Sequence, residues 1–278
     1  HHAASIAALT SRATAGAWLM ARQISTPQER PMLPVHLPAT QAAPRRTSHA
    51  RFAPIVAAGL SLLCLGAAHA GRPLATDDAG TAGAGNCQVE SWWQRGHESR
   101  SVVVAPACGI GDAVEVNAEV ERSNSVDPAQ TELALGVKWV DPGWKLGPLA
   151  LGLRAWLGQT RFSDGSHRHG ERGASLLIST DLGASGAAHL NLGRLRDPAD
   201  GAQHSLLNLA LTWKPGEQWL VFAEINAVRH NPTDQFAGLR YWLRPEVLGL
   251  DLTLGQSAGQ PDSRVWTIGL GWYGLRYL

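Results

Sequence analysis

Apolar and polar residues alternate with period two in twelve separate stretches after residue 85, and no run of 18 apolar residues follows Ala70. Such alternation gives a β-strand one apolar and one polar face, and the absence of a long apolar run after Ala70 leaves no membrane-spanning helix in that part of the chain. The candidate strands lie near 86–95, 99–108, 112–123, 131–140, 148–160, 172–182, 186–196, 204–214, 218–229, 234–244, 247–256 and 264–277. One parity is apolar in each. Val114, Val116, Ala118 and Val120 mark it on the third strand, and Leu133, Leu135, Val137 and Trp139 on the fourth.

The opposite parity carries Glu115, Asn117, Glu119 and Glu121, then Lys138, Arg154, Asp181, His189, Asn191, Glu224, Asn226, Arg240 and Asp251, with glycine and alanine between them. A soluble sandwich and a membrane barrel both tolerate this pattern, so the connections decide. Those after even-numbered strands are tight, as at 109–111, 183–185, 215–217 and 245–246, while most of the others are longer and more polar, as at 124–130, 161–171, 197–203 and 257–263. Short turns on one rim, longer loops on the other and an even strand count predict an all-β fold: a closed, up-and-down antiparallel transmembrane β-barrel of about 12 strands with both termini periplasmic. Rings near strand ends agree with an interfacial belt: Trp139, Trp144, Trp213, Trp219 and Tyr241 near one rim and Trp266 near the other. The apolar parity then faces lipid, and the thirteen polar residues line the lumen.

The first 70 residues differ in charge from the rest. They hold six arginines and one acid, Glu29, whereas residues 71–278 hold 18 basic and 22 acidic residues, a net of −4. Arg45, Arg46 and Arg51 precede the apolar run Ile55–Ala67 and the small-residue triplet Ala68-His69-Ala70, the layout of a cleaved secretory signal peptide. Thirteen apolar residues fall short of the roughly twenty that a spanning helix needs. The predicted organisation is an amino-terminal extension over 1–50, a signal peptide over 51–70 and a barrel over 71–278, exported to the outer membrane of a Gram-negative bacterium. An organellar transit peptide is the competing reading of the nearly acid-free leader.

Cys64 falls within the leader, which leaves Cys87 and Cys108. A first hairpin turning at His97-Glu98 sets Cys87 directly opposite Cys108, Val89 opposite Pro106 and Trp93 opposite Val102. An exported chain then forms a Cys87–Cys108 disulfide. Pro106 has no N–H for the ladder and a closed barrel has no free edge, so a bulge is expected there. The last strand ends Trp272-Tyr273-Gly274-Leu275-Arg276-Tyr277-Leu278. Counted back from Leu278, Trp272 fits the alternation and Arg276 and Gly274 do not; Tyr273, Leu275 and Tyr277 fit after a slip of one residue.

The stretch after the cleavage site, Arg72-Pro73-Leu74, Thr76-Asp77-Asp78 and Ala79-Gly80-Thr81, followed by Gln88 and Glu90, resembles the start of the mature chain in the family labelled as the MetA pathway of phenol degradation. The remainder resembles that family in architecture alone. The resemblance implies an outer-membrane barrel acting as a channel or transporter for aromatic or other small organic compounds.

Candidate chemistry is sparse. Asp77 and Asp78 can cap a turn, contact a lumen arginine or hold a cation. His167 and His169 sit beside Arg168 in the longest predicted loop without a clear third metal ligand, and a solvated loop or lipopolysaccharide contact fits them better. His97-Glu98-Ser99 has the His-x-Ser spacing of a twelve-stranded outer-membrane phospholipase family, but Arg100-Ser101 follows where that family shows Asn-Gly. No glycine-rich phosphate loop, zinc pattern or basic nucleic-acid stripe occurs in 71–278. The reading is therefore a channel for small solutes, not an enzyme, with no cofactor or metal. Its expected partners are membrane lipid, lipopolysaccharide, the barrel-assembly machinery and a solute, with no nucleic acid. A closed structural or surface barrel is the alternative, and a hydrolase comes third.

Overall fold

The computed structural model describes residues 74–97, 99–124, 129–198 and 200–277. The extension, the signal segment, Cys64, Arg72, Pro73, Glu98 and Leu278 lie outside the described residues. The described chain is a single closed sheet of twelve antiparallel strands, each hydrogen-bonded to its neighbours in sequence. They are β1 (Asn86–Arg95), β2 (Arg100–Ile110), β3 (Val114–Ser123), β4 (Gln130–Trp139), β5 (Leu149–Phe162), β6 (His167–Leu182), β7 (Gly186–Arg196), β8 (Gln203–Gly216), β9 (Trp219–Val228), β10 (Asp234–Arg244), β11 (Leu248–Ser257) and β12 (Val265–Arg276). β12 pairs with β1 and closes the ring. A two-residue strand, Lys145–Leu146, folds back on Leu149-Ala150 in the β4–β5 turn, and Pro261–Ser263 forms one 3-10 turn.

The predicted parities hold strand by strand. Leu135, Leu157, Leu211, Leu254 and Trp213 stand exposed on the outside, while Lys138, Glu115, Asn191 and Glu224 are buried inside. A folded chain leaves this much contiguous apolar surface outward only where something apolar covers it. Aromatic contacts mark both strand ends: Trp139 packs on Trp144 and Trp219 on Tyr241 at the short-turn rim, and Trp93 on Trp266 at the other.

Two expectations need correction. Residues 161–171 are not a loop, because β5 and β6 continue past the neighbouring strands as a two-stranded ribbon that pairs Arg161 with His167 and Gln159 with His169. The ribbon is closed by a tight turn in which Asp164 Oδ1 accepts the Ser166 N–H at 2.8 Å, and Arg168 lies 5.2 Å from the Phe162 ring. Pro106 makes no bulge either. The β2–β3 ladder lapses at Ala105 and Pro106 but resumes in the same register, from Val104 opposite Val120 to Ala107 opposite Asn117. Losing one donor costs the ladder a bond and not its register.

A bulge lies elsewhere, where Tyr273 and Gly274 together oppose Gln88 between the pairs Val89–Trp272 and Cys87–Leu275. Gly274 has φ +68°, the left-handed conformation that such a bulge requires. The one-residue slip expected of the last strand thus begins only after Tyr273, which stays on the inward parity of Val265 and Thr267 and is buried, while Tyr277 beyond the bulge is exposed.

Cys87 and Cys108 are direct cross-strand partners joined by a disulfide on the outer face, with Cα atoms 4.0 Å apart. The bond closes a sequence separation of 21 residues, which in the chain-entropy treatment contributes about 3 kcal/mol. Replacing both cysteines by serine is expected to leave the fold intact and lower its unfolding free energy by roughly that amount, measured by urea titration in detergent. Alkylation of denatured, unreduced protein is expected to leave Cys87 and Cys108 unlabelled.

Candidate functional site

Inside the barrel the chain preceding β1 runs as a strap, Leu74 to Gly85. Leu74 is buried against Ala210 and Phe222 on the inner wall and anchors the strap there. From Leu74 to Ala82 the strap has no sheet partner for its amides, and buried N–H groups must be paired. Side chains of the wall supply the acceptors. Glu224 accepts from the Ala75 N–H at 3.0 Å, from the Thr76 N–H at 2.9 Å and from the Thr76 hydroxyl at 3.0 Å. Asn191 accepts the Asp77 N–H and donates to the Asp77 carbonyl, each at 2.8 Å, as a neighbouring strand would. Ser179 Oγ accepts the Ala79 N–H at 2.8 Å and lies 2.9 Å from His189 Nδ1. Glu115 accepts the Ala82 N–H at 2.8 Å.

Charge fixes the middle of the strap. Lys138 Nζ lies 3.3 Å from Asp77, 3.5 Å from Asp78 and 3.6 Å from Glu115, and it, Asp78 and Glu115 are almost wholly buried. Arg154 donates to the other Asp77 oxygen and lies 5.4 Å from the Trp156 ring. The strap leaves the lumen beside Gly109, where Ala84 forms a parallel bridge. A Cβ on Gly109 would stand 2.1 Å from the Gly83 carbonyl oxygen, so only glycine admits this approach.

A second cluster fills the wall formed by β10, β11, β12 and β1. Arg240 makes a two-pronged pair with Asp251 at 2.6 and 2.8 Å, packs over Trp242 and Tyr273, and approaches Glu90 at 4.0 Å. Tyr273 donates its hydroxyl proton to Glu90.

Between the strap and the longer-loop rim lies a cavity of about 220 Å³. Asn117, Glu119, Glu121 and Asn226 line it, joined by Glu132, Glu171 and Asn208, which sequence reasoning did not single out. Glu132 and Asn208 carry the same signal as the rest, since Glu132 shares the parity of Lys138 on its strand and Asn208 stands between Leu207 and Leu209. Glu171 was hidden by its placement in a loop. Among the described residues lining the cavity, eight are acidic and two, Lys138 and Arg154, are basic.

The predicted lumen set therefore divides. Glu115, Lys138, Arg154, Asn191 and Glu224 contact the strap directly and His189 reaches it through Ser179; Asn117, Glu119, Glu121 and Asn226 face the cavity; Arg240 and Asp251 pair with each other; and Asp181 is exposed near the end of β6. The Asp77-Asp78 pair takes the lumen-contact role foreseen for it. His97 and Ser99 lie in the β1–β2 turn, and His167 and His169 in the exposed ribbon. A different trio meets near the β7–β8 turn, where Asp197, Asp200 and His204 bring ligand atoms within 4.8 Å of one another. Its geometry is that of a loop cap: Asp200 accepts the Ala202 N–H at 2.7 Å, which holds its carboxyl below the usual carboxylate range, and lies 2.9 Å from His204 Nε2.

Among curated proteins, none matches the sequence. Among solved structures the barrel is similar to the KdgM porin, with a TM-score of 0.51 at 7% identity over 66% of this chain and 98% of that one. The KdgM porin in complex with disordered oligogalacturonate gives 0.50 at 7% identity over 67% and 98%. The NanC porin gives 0.48 at 11% identity over 67% and 98%. At such identities the likeness to KdgM is one of fold, a porin-like outer-membrane β-barrel. At the level of sequence, a family profile matches residues 59–272, and the chain belongs to that family, described as uncharacterised conserved protein UCP029691.

Proposed function

We propose that the protein is an outer-membrane channel for small solutes, with both termini on the periplasmic side and a lumen narrowed by its own amino-terminal strap. The observation that carries this reading is the cavity above the strap, enclosed by the barrel strands and lined by acids and amides among its apolar residues. Twelve strands lie between the eight that leave a filled interior and the sixteen that leave an open aqueous channel, so a passage of this size must be narrow. The signal-like leader and the exposed apolar belt support export and a lipid setting, with lipopolysaccharide and the barrel-assembly machinery as partners. The opening motif, through its resemblance to the phenol-degradation family, favours small organic solutes. An oligogalacturonate, which the KdgM porin holds, is a polyanion and a poor match for a cavity whose acids outnumber its bases.

One observation favours the alternative of a closed structural barrel. The strap is tied to four different strands by side-chain acceptors, and the Arg240 cluster occupies the wall beside β1. Single-channel recording separates the two. Wild-type protein reconstituted in a planar bilayer is expected to show discrete cation-preferring openings. The Asp77→Ala, Asp78→Ala variant, whose strap lacks both ionic anchors, is expected to show larger or longer ones. A correctly inserted protein that is silent in both forms would make the closed barrel the better reading.

Lys138→Met leaves three lumen carboxylates without their shared cation. Breaking a buried charge group in this way costs roughly 3–5 kcal/mol, and the unfolding midpoint in urea is expected to fall accordingly while the secondary structure stays β.

A further inference from the structure

The cavity above the strap has two unlike walls. Glu119 and Glu121 from β3, Glu132 from β4 and Glu171 from β6 make one of them. Glu121 and Glu132 are direct cross-strand partners, and Glu171 enters beside Gly158 at the β5–β6 bulge. Like charges set directly opposite each other destabilise a sheet.

The other wall carries amides. Asn191, Asn208 and Asn226 stand in one cross-strand row over β7, β8 and β9. β3 and β9 are six places apart in a ring of twelve, so Glu119 and Glu121 face Asn226 across the lumen, whereas Glu171 on β6 stands only two places from Asn208 on β8. Asn191 is committed to the strap. Asn208 is only 9% exposed, lines the cavity, and its Oδ1 has no hydrogen-bond partner; neither side-chain polar atom of Asn226 has one. Glu171 accepts from Trp156 Nε1 at 2.8 Å through one oxygen, and its other oxygen is buried without a partner. Buried polar atoms left unpaired are costly, and a row of them on a cavity wall is what a ligand's polar groups would satisfy.

We infer that this cavity binds a small organic ammonium ion that also bears hydroxyl groups. The carboxylate wall takes the ammonium through charge-assisted hydrogen bonds. The amide row, which both donates and accepts, takes the hydroxyls. Trp92 and Trp156 line the same space. The volume of about 220 Å³ lies below the roughly 300–1,000 Å³ of drug-sized pockets, which limits the occupant to about one sugar-sized ring. The inference rests on the channel reading, in which the cavity is the loop-side half of the solute path.

Three ring-matched probes test it: glucosamine, cationic at neutral pH; N-acetylglucosamine, neutral; and glucuronate, anionic. Each is titrated into the full protein in detergent micelles, with binding read by calorimetry and tryptophan fluorescence. Glucosamine is expected to bind at least about tenfold more tightly than N-acetylglucosamine, the worth of one charged hydrogen bond, and glucuronate not to bind. Glu132→Gln is expected to remove the preference for the cation, and Glu171→Gln serves if that variant does not fold. Asn208→Ala is expected to weaken both hydroxylated sugars while leaving cyclohexylamine, a hydroxyl-free amine, unchanged. Equal affinity for all three probes, a preference for glucuronate, or no binding overturns the inference. Conductance is scored separately: no binding in a conducting protein removes the ligand assignment alone, and binding in a silent barrel removes the channel reading alone.

Discussion

Lys138 ties the lumen together. Val137 and Trp139 must face outward with the rest of their apolar parity, so the ammonium between them is forced inside. A buried ammonium is tolerable only when paired, and Glu115 on the neighbouring strand, its direct cross-strand partner, supplies a single carboxylate. Asp77 and Asp78 supply two more, and they come from the strap. The alternation that builds the barrel wall thus also creates the positive charge that draws the preceding segment into the lumen.

The strap is held in a manner unlike any strand. A strand satisfies its amides against a parallel row of backbone groups, whereas here the acceptors are the tips of Glu224, Asn191, Ser179 and Glu115, from four different strands. Each acceptor sits at the end of a side chain, so the strap can cross the lumen at an angle to the sheet. Side-chain acceptors also make the contact separable. The barrel ladders contain none of these bonds, and a strap withdrawn from the lumen would leave all twelve strands paired.

Period-two alternation made the strand count, the parities and the Cys87–Cys108 register legible, because one face of every strand had to be apolar and a register error would have moved each set to the wrong side. The ribbon over 161–171 was hidden because its residues lie beyond the apolar belt, where neither face needs to be greasy and no alternation survives. The bulge at Gly274 is a local change of phase that alternation alone cannot locate: Tyr273 before it keeps the inward parity of Val265 and Thr267, and only the residues after it shift. The strap was half legible: Asp77 and Asp78 suggested a lumen contact, but nothing in a short, glycine-rich, non-periodic segment states that its backbone will be gripped by side chains 33 to 149 positions away.

The two halves of the lumen obey different rules. Toward the short-turn rim the acids meet cations at close range, Asp77, Asp78 and Glu115 around Lys138 and Asp251 against Arg240, and those contacts account for their burial. Beyond the strap the balance reverses: Glu119, Glu121, Glu132 and Glu171 gather from β3, β4 and β6, and Asn208 and Asn226 on β8 and β9 carry buried side-chain atoms without hydrogen-bond partners. Stability would favour dispersing those charges, since the same cavity is also lined by Ala105, Ala107 and Ala134, where a small side chain already stands inside. A cost of this kind that brings no packing in return is the mark of a site whose chemistry, and not its fold, selects the residues.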